Sequence, residues 1–142
     1  MFMNSCPFRR NMGKKVMIVR VRRNPHNDLN QELQWVANSL GLFNLRDKDS
    51  SCFRVFITLV KKAKRNEPIS SDQIAEKLNL SRGTVVHHLT RLMDSGIVVR
   101  EQQGYLLREN DLQKVVQDIK RDMEEALSEL LEVAKEIDEK LG

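Results

Sequence analysis

Two histidines stand side by side, His87 and His88, inside the stretch KLNLSRGTVVHHLTRL at residues 77–92, and adjacent imidazoles raise the question of a metal or a proton-transfer site. The spacing argues against a shared ion. Neighbouring positions on a helix point about 100° apart, whereas metal pairs on helices use i and i+4 on one face. The two cysteines, Cys6 and Cys52, are far apart and form neither C-x-C nor C-x-x-C, so neither a disulfide framework nor a thiolate site is expected. No glycine-rich phosphate loop, carboxylate-pair motif or nucleophile–base constellation stands in the sequence, which reads as a non-enzyme needing no cofactor and no metal. What surrounds the histidines is binding chemistry instead: guanidinium at Arg82 and Arg91, hydroxyl at Ser81, Thr84 and Thr90, a methyl pair at Val86, and no side chain at Gly83.

Charge along the chain points to a partner for such groups. The net charge is +4, but it is segregated: residues 1–23 carry seven basic and no acidic side chains, 61–108 carry nine against five, and 109–142 carry five against eleven. A polyanion is drawn to the front and middle and repelled by the end. The longest apolar run, VFITLV at 55–60, is too short to cross a bilayer. Residues 1–15 place basic side chains after a short mixed stretch without an apolar core, unlike a secretory signal, so a cytoplasmic protein is expected.

The elements that position these groups follow from periodicity and punctuation. Residues 16–23, VMIVRVRR, are rich in β-branched side chains and alternate weakly, a strand candidate closed by Asn24 and Pro25. A helix starts at the capping-box pattern Asp28-x-x-Gln31, lines up Leu29, Leu33, Val36 and Leu40, and stops at Gly41. Trp35 falls off that stripe, as a subunit contact or a locally packed ring. Asp49, Ser50 and Ser51 offer caps for a central helix carrying Cys52, Val55, Phe56, Leu59, Val60 and Ala63, ended by Pro68. A third helix opens with Ser70-x-x-Gln73 and buries Ile74, Ala75 and Leu78, and a fourth runs from Ser81 to Gly96. Residues 97–107, IVVREQQGYLL, read as a hairpin split at Gln102-Gln103-Gly104, and 110–141 as one long helix.

The third and fourth helices are joined by almost nothing, which forces a steep crossing, the helix-turn-helix arrangement. Ala75 is the small residue at the approach, Asn79 takes the left-handed conformation of the turn, and Leu80 fills its corner. On the fourth helix Val85, Leu89 and Leu92 recur at i, i+4 and i+7 and point inward, with His88 beside them as a satisfied inner residue. Ser81, Arg82, Gly83, Thr84, Val86, His87, Thr90 and Arg91 are left on the outer side or in the first turn. That set suits a DNA major groove: guanidinium to guanine or phosphate, hydroxyl to phosphate or base, valine to a thymine methyl. Gly83 lets free amides at the helix start approach a phosphate. The hairpin adds Arg100, Gln102, Gln103 and Arg108 for the backbone or minor groove. A merely solvated outer face is the plainer alternative.

The segment IAEKLNLSRGTVVHHLTRLMDSGIVV, residues 74–99, resembles the winged helix-turn-helix regulators of the ArsR type, through the pattern formed by Leu80, Ser81, Thr84, Val85, His88, Leu89 and Leu92. The resemblance covers about residues 50–108. It implies a homodimeric transcriptional regulator, expected to act as a repressor, that inserts helix 81–94 into the major groove and uses wing 97–107 beside it. It departs from the metal-sensing members, because SSDQIAEKLN at 70–79 has no Cys-x-Cys.

The fold class expected is mainly α with a small β-hairpin: a basic arm or strand at 1–23, a winged helix-turn-helix domain at 24–108, and a dimerisation helix at 109–142. In that last helix Leu112, Ile119, Ala126 and Val133 share one heptad position, Val116, Met123, Leu130 and Ile137 a second, and Leu127, Ala134 and Leu141 a third beside them. The stripe is too wide for a plain two-stranded zipper, so the helix is expected to pack in a multi-helix layer against its twin and the 28–40 helix. A dimer interface is expected from Leu29, Leu33, Trp35, Val116, Ile119, Met123, Leu127, Leu130 and Ile137, with a helix folded back on its own domain as the alternative. The arm at 1–23 adds phosphate contacts, or is an edge strand or frayed tail. The partners expected are double-stranded DNA and a second copy. A winged-helix adaptor that binds protein without reading bases is the competing function.

Overall fold

The computed structural model describes residues 17–23, 28–42 and 50–142. Helix α1 is Leu29–Ser39, with the Asp28 carboxylate accepting from the Gln31 amide at 2.8 Å and the Gln31 side chain accepting from the Asp28 amide at 3.2 Å. It ends at Gly41, whose φ of 71° continues the chain into Leu42. Residues 17–23 lie beside α1 and form no strand. The Val19 amide donates to the Ser39 carbonyl at 2.8 Å, and the Trp35 indole donates to the Val21 carbonyl at 3.0 Å. The strand expectation fails for these residues because β-branched side chains favour an extended backbone, yet a helix end and an indole take its hydrogen bonds. Trp35, stacked 5.7 Å from the Arg23 guanidinium, is thereby used within the chain.

Helix α2, Ser51–Ala63, passes through the centre: Cys52, Val55, Phe56, Leu59 and Ala63 are all buried. Its expected cap differs. Ser50 sits at φ 56° and makes no side-chain cap, Ser51 lies inside the helix, and Asp49 lies outside the described residues. Helix α3, Ser71–Leu78, has the full capping box, with the Ser70 hydroxyl accepting from the Gln73 amide at 3.1 Å. Helix α4, Arg82–Asp94, follows after only Asn79, Leu80 and Ser81. Asn79 is left-handed at φ 56°, and the Leu80 amide donates back to Ala75 at 2.9 Å, which closes the turn.

Strands β1, Val98–Glu101, and β2, Gly104–Leu107, pair antiparallel, with Arg100 opposite Tyr105 and Glu101 opposite Gly104. Ile69 bridges to Tyr105 on the side of β2 away from β1, each amide donating to the other's carbonyl at 3.1 and 2.8 Å. Gly104 is required there: at φ 145° an added Cβ would lie 2.5 Å from the Ile69 carbonyl. The arrangement is mainly helical with a two-stranded hairpin, a winged helix-turn-helix.

Helix α5, Leu112–Leu141, is capped by Asp111 and spans 30 residues, roughly 45 Å. Only its first turns join the body. Val115 and Ile119 enter the core, while every residue from 124 onward is exposed. Ile119, 3% exposed, is therefore withdrawn from the expected dimer interface, because its own chain covers it. Arg108 corrects a second expectation. Its side chain is 15% exposed and is clamped between Asp118 at 3.2 Å and Asp122 at 3.0 Å, so it ties the wing to α5 and does not face a nucleic acid. No helix among the described residues is long and apolar enough to cross a membrane.

Candidate nucleic-acid interface

Helix α4 divides cleanly into two faces. Val85, Leu89 and Leu92 are completely buried against α2, α3 and the hairpin, which holds the helix as a rigid rod on the body. The opposite face carries Arg82, Gly83, Val86, His87 and Thr90, all exposed, with Thr84 and Arg91 half-buried at its edges. Arg82 keeps 73% of its side chain in solvent, and Val86 is exposed despite being apolar. No part of the described chain covers this surface.

The first turn is organised by Ser81. Its hydroxyl accepts from the Thr84 amide at 3.1 Å and donates to Thr84 Oγ1 at 2.8 Å. The Val85 amide bonds to the Ser81 carbonyl at 3.1 Å, so the amides of Arg82 and Gly83 stand at the open, electropositive end of the helix. A Cβ built on Gly83 meets nothing within 4 Å. Glycine in a helix is destabilising relative to alanine by roughly 0.5–1 kcal/mol, and here no internal packing compensates. Further along, the Thr90 hydroxyl donates to the Val86 carbonyl at 2.9 Å, which leaves its oxygen as an acceptor.

The two histidines separate as the helical geometry requires. His88 is buried and its Nε2 is 2.6 Å from Ser51 Oγ, a link from the inner face of α4 to the start of α2. His87 points outward, its ring centroid 5.6 Å from that of His88 at an interplanar angle of 55°. Among the described residues no group of three or more His, Cys, Asp or Glu is placed to hold a metal ion.

The wing presents Arg100, Gln102 and Gln103 at its exposed edge and tip. The Arg100 guanidinium lies 5.7 Å from the ring centroid of Tyr105, its cross-strand partner, which steadies a side chain that otherwise has wide rotamer freedom. Three residues that the sequence did not place at the site set its geometry. Asp72, in the first turn of α3, lies 3.4 Å from the Arg82 guanidinium. Arg54, on α2, donates to the Leu78 carbonyl at 2.6 Å and so secures the end of α3 just before the turn. Ser51 anchors His88. Asp72 had a signal, since a carboxylate in a first helical turn suits the dipole, but nothing in the spacing tied it to Arg82.

The residues expected at a dimer interface scatter. Leu29 is exposed, Leu33 and Met123 pack partly against the core, and Trp35 is half-buried against 21–23. Val116, Leu127, Leu130 and Ile137 are exposed on α5.

Residues 63–99, from the end of α2 through α3 and α4 into β1, match the winged helix-turn-helix DNA-binding family. No curated protein matches the chain. The match spans about a quarter of the chain and is a likeness to winged helix-turn-helix DNA-binding domains at large.

Proposed function

We propose that this protein is a transcriptional regulator that binds specific double-stranded DNA sequences as a homodimer. Helix α4 enters the major groove and the wing follows the adjacent backbone. The observation that carries the reading is the outer face of α4, where Arg82, Gly83, Val86, His87 and Thr90 are all open to solvent on a helix whose other face is locked into the core. Arg82 and His87 reach base edges or phosphates, Val86 meets a thymine methyl, and the amides of Arg82 and Gly83 with the hydroxyls of Ser81 and Thr84 bind phosphate. Arg91 at the helix edge and Arg100, Gln102 and Gln103 in the wing add backbone contacts, which set position more than sequence.

A homodimer is supported by the exposed apolar side chains of α5, Leu127, Leu130 and Ile137 among them. Two copies of α4 related by a two-fold axis address half-sites about 34 Å apart. Residues 1–16 lie outside the described residues; with their basic side chains they are proposed as an arm adding phosphate contacts.

Selection of bound sites from a random duplex library tests the proposal. A palindromic site with half-sites one helical turn apart is the expected result. Retention that is purely salt-dependent and unselective would overturn it in favour of a protein-binding adaptor.

A further inference from the structure

The stripe along α5 serves two neighbours in succession. Over its first turns the helix is held by its own body, through buried Val115 and Ile119 and through Arg108 on Asp118 and Asp122. Beyond Met123 the stripe continues with nothing on it. Leu127, Leu130, Val133, Ile137 and Leu141 are between 50% and 82% exposed, on a stem of five turns and roughly 27 Å. Five such side chains offer on the order of 500 Å² per copy, and a pair buries about 1,000 Å², the lower bound for a specific interface.

We infer that a second copy of this chain covers this stem, and that the two stems run parallel. The inference rests on the homodimer proposed above and adds the direction of pairing. With Met123, Leu130 and Ile137 at heptad position a, and Ala126 and Val133 at d, position g is Asp122, Glu129 and Glu136, and position e is Lys120, Leu127, Ala134 and Leu141. In a parallel pair each g faces the following e of the other helix. Asp122 then meets Leu127, Glu129 meets Ala134, and Glu136 meets Leu141, with no like charges opposed, and the methylenes of these carboxylate side chains cover the e row that makes the stripe wider than a plain zipper seam. In an antiparallel pair e faces e and g faces g: the apolar e rows would meet, but Glu129 of each copy would meet Glu136 of the other, and no lysine lies in that row to relieve them. Lys140, which ends the d row, is four residues after Glu136 in the favourable order for an ion pair on its own helix. Parallel stems place both winged domains at the same end of the pair, where both copies of α4 reach one duplex. Antiparallel stems would set them at opposite ends.

The test uses the full chain with Cys6→Ser; Cys52 is fully buried. Sedimentation equilibrium reads the oligomeric state and oxidative crosslinking reads the direction. Parallel stems put the two copies of residue 137 side by side, so Ile137→Cys alone forms a covalent dimer, and a mixture of Ile137→Cys with Ala126→Cys gives no excess of the mixed product. A dimer in which only the mixed product forms overturns the parallel direction and leaves the homodimer standing. A dimer that gives neither product removes the stem from the interface. A monomer throughout the micromolar range overturns the homodimer itself, whatever the chain does with DNA.

Discussion

The Arg82 guanidinium lies 3.4 Å from the Asp72 carboxylate, so the first residue of α4 is paired across the turn with the first turn of α3. Both side chains are largely in solvent, and an exposed pair of this kind contributes at most about 1 kcal/mol to stability. On the proposed reading its effect on DNA is of similar size, since Asp72 both holds Arg82 and repels phosphate. Asp72→Asn is expected to tighten binding to the selected duplex by about three-fold, near 0.7 kcal/mol. Arg82→Ala is expected to weaken it by about 1–3 kcal/mol. Fluorescence anisotropy at fixed salt measures both, and equal affinity in the two variants would remove Arg82 from the interface.

Gly83 yields a prediction with opposite signs in two measurements. Because an added Cβ touches nothing, Gly83→Ala is expected to stabilise the fold by up to about 1 kcal/mol through helix propensity. The same methyl intrudes where a phosphate approaches the helix start, and binding is expected to fall by ten-fold or so, about 1.4 kcal/mol. Thermal melting and anisotropy on one preparation check it. A variant that melts higher and binds as before shows that the helix start is not occupied.

The adjacent histidines should separate by phenotype. His87→Ala is expected to cost about 1–3 kcal/mol of specific binding with the denaturation midpoint unchanged, since the ring is outside the core. Ser51→Ala removes the hydroxyl 2.6 Å from His88 Nε2 in a buried setting and is expected to cost about 1–3 kcal/mol of stability. Urea unfolding followed by circular dichroism compares them.

Arg108 makes stability depend on acid. The hydrogen bond shared with Glu109, then the Arg108 and Arg121 guanidiniums, hold the Asp118 carboxyl below its ordinary value of 3.8. The same hydrogen bond raises Glu109 above its ordinary 4.5. For Asp118 the stabilisation is present above pH 3.8 and is lost as the pH falls through its lowered value. For Glu109 the sign reverses: its contribution is full below 4.5 and is lost as the pH rises through its raised value. Arg108→Met breaks a partly buried pair and is expected to cost about 1–3 kcal/mol near neutral pH. That deficit narrows as Asp118 becomes protonated, so melting curves of both proteins should stay apart from pH 7 down to pH 3.8 and converge only below it. A deficit independent of pH would assign the loss to packing of the arginine stem.

The basic arm is tested by deletion. Removing residues 1–15 takes away Arg9, Arg10, Lys14 and Lys15. If these meet phosphates, the slope of log K against log salt becomes shallower by about 0.9 for each phosphate no longer neutralised. An unchanged slope discards the arm.

Local signals were legible wherever a residue acts on its own backbone. The capping boxes at Asp28 and Ser70 form as their spacing requires, Asn79 turns left-handed, and the i, i+4, i+7 row from Val85 to Leu92 is buried. The inner and outer faces of α4 follow from that row alone. Signals failed where a residue had to choose between distant partners. Residues 17–23 have strand-like side chains, but a strand needs a neighbour, and the hydrogen bonds go to Ser39 and Trp35. Arg108 beside a wing reads as a DNA ligand until α5 brings Asp118 and Asp122, one turn apart on one face, up to it. Ile119 shares a heptad position with side chains of the free stem, and periodicity marks a face as apolar without saying which neighbour covers it.

The contact between Gly104 and Ile69 lets the segment entering α3 aim the wing. The hairpin is held near its tip, where Ile69 bridges Tyr105 and any Cβ on Gly104 would lie 2.5 Å from the Ile69 carbonyl, and only Gln102 and Gln103 extend beyond that point. A side chain at 104 would push the wing away from the residue that directly precedes the Ser70 cap of α3. The aim of the wing and the start of α3 therefore hang on one contact.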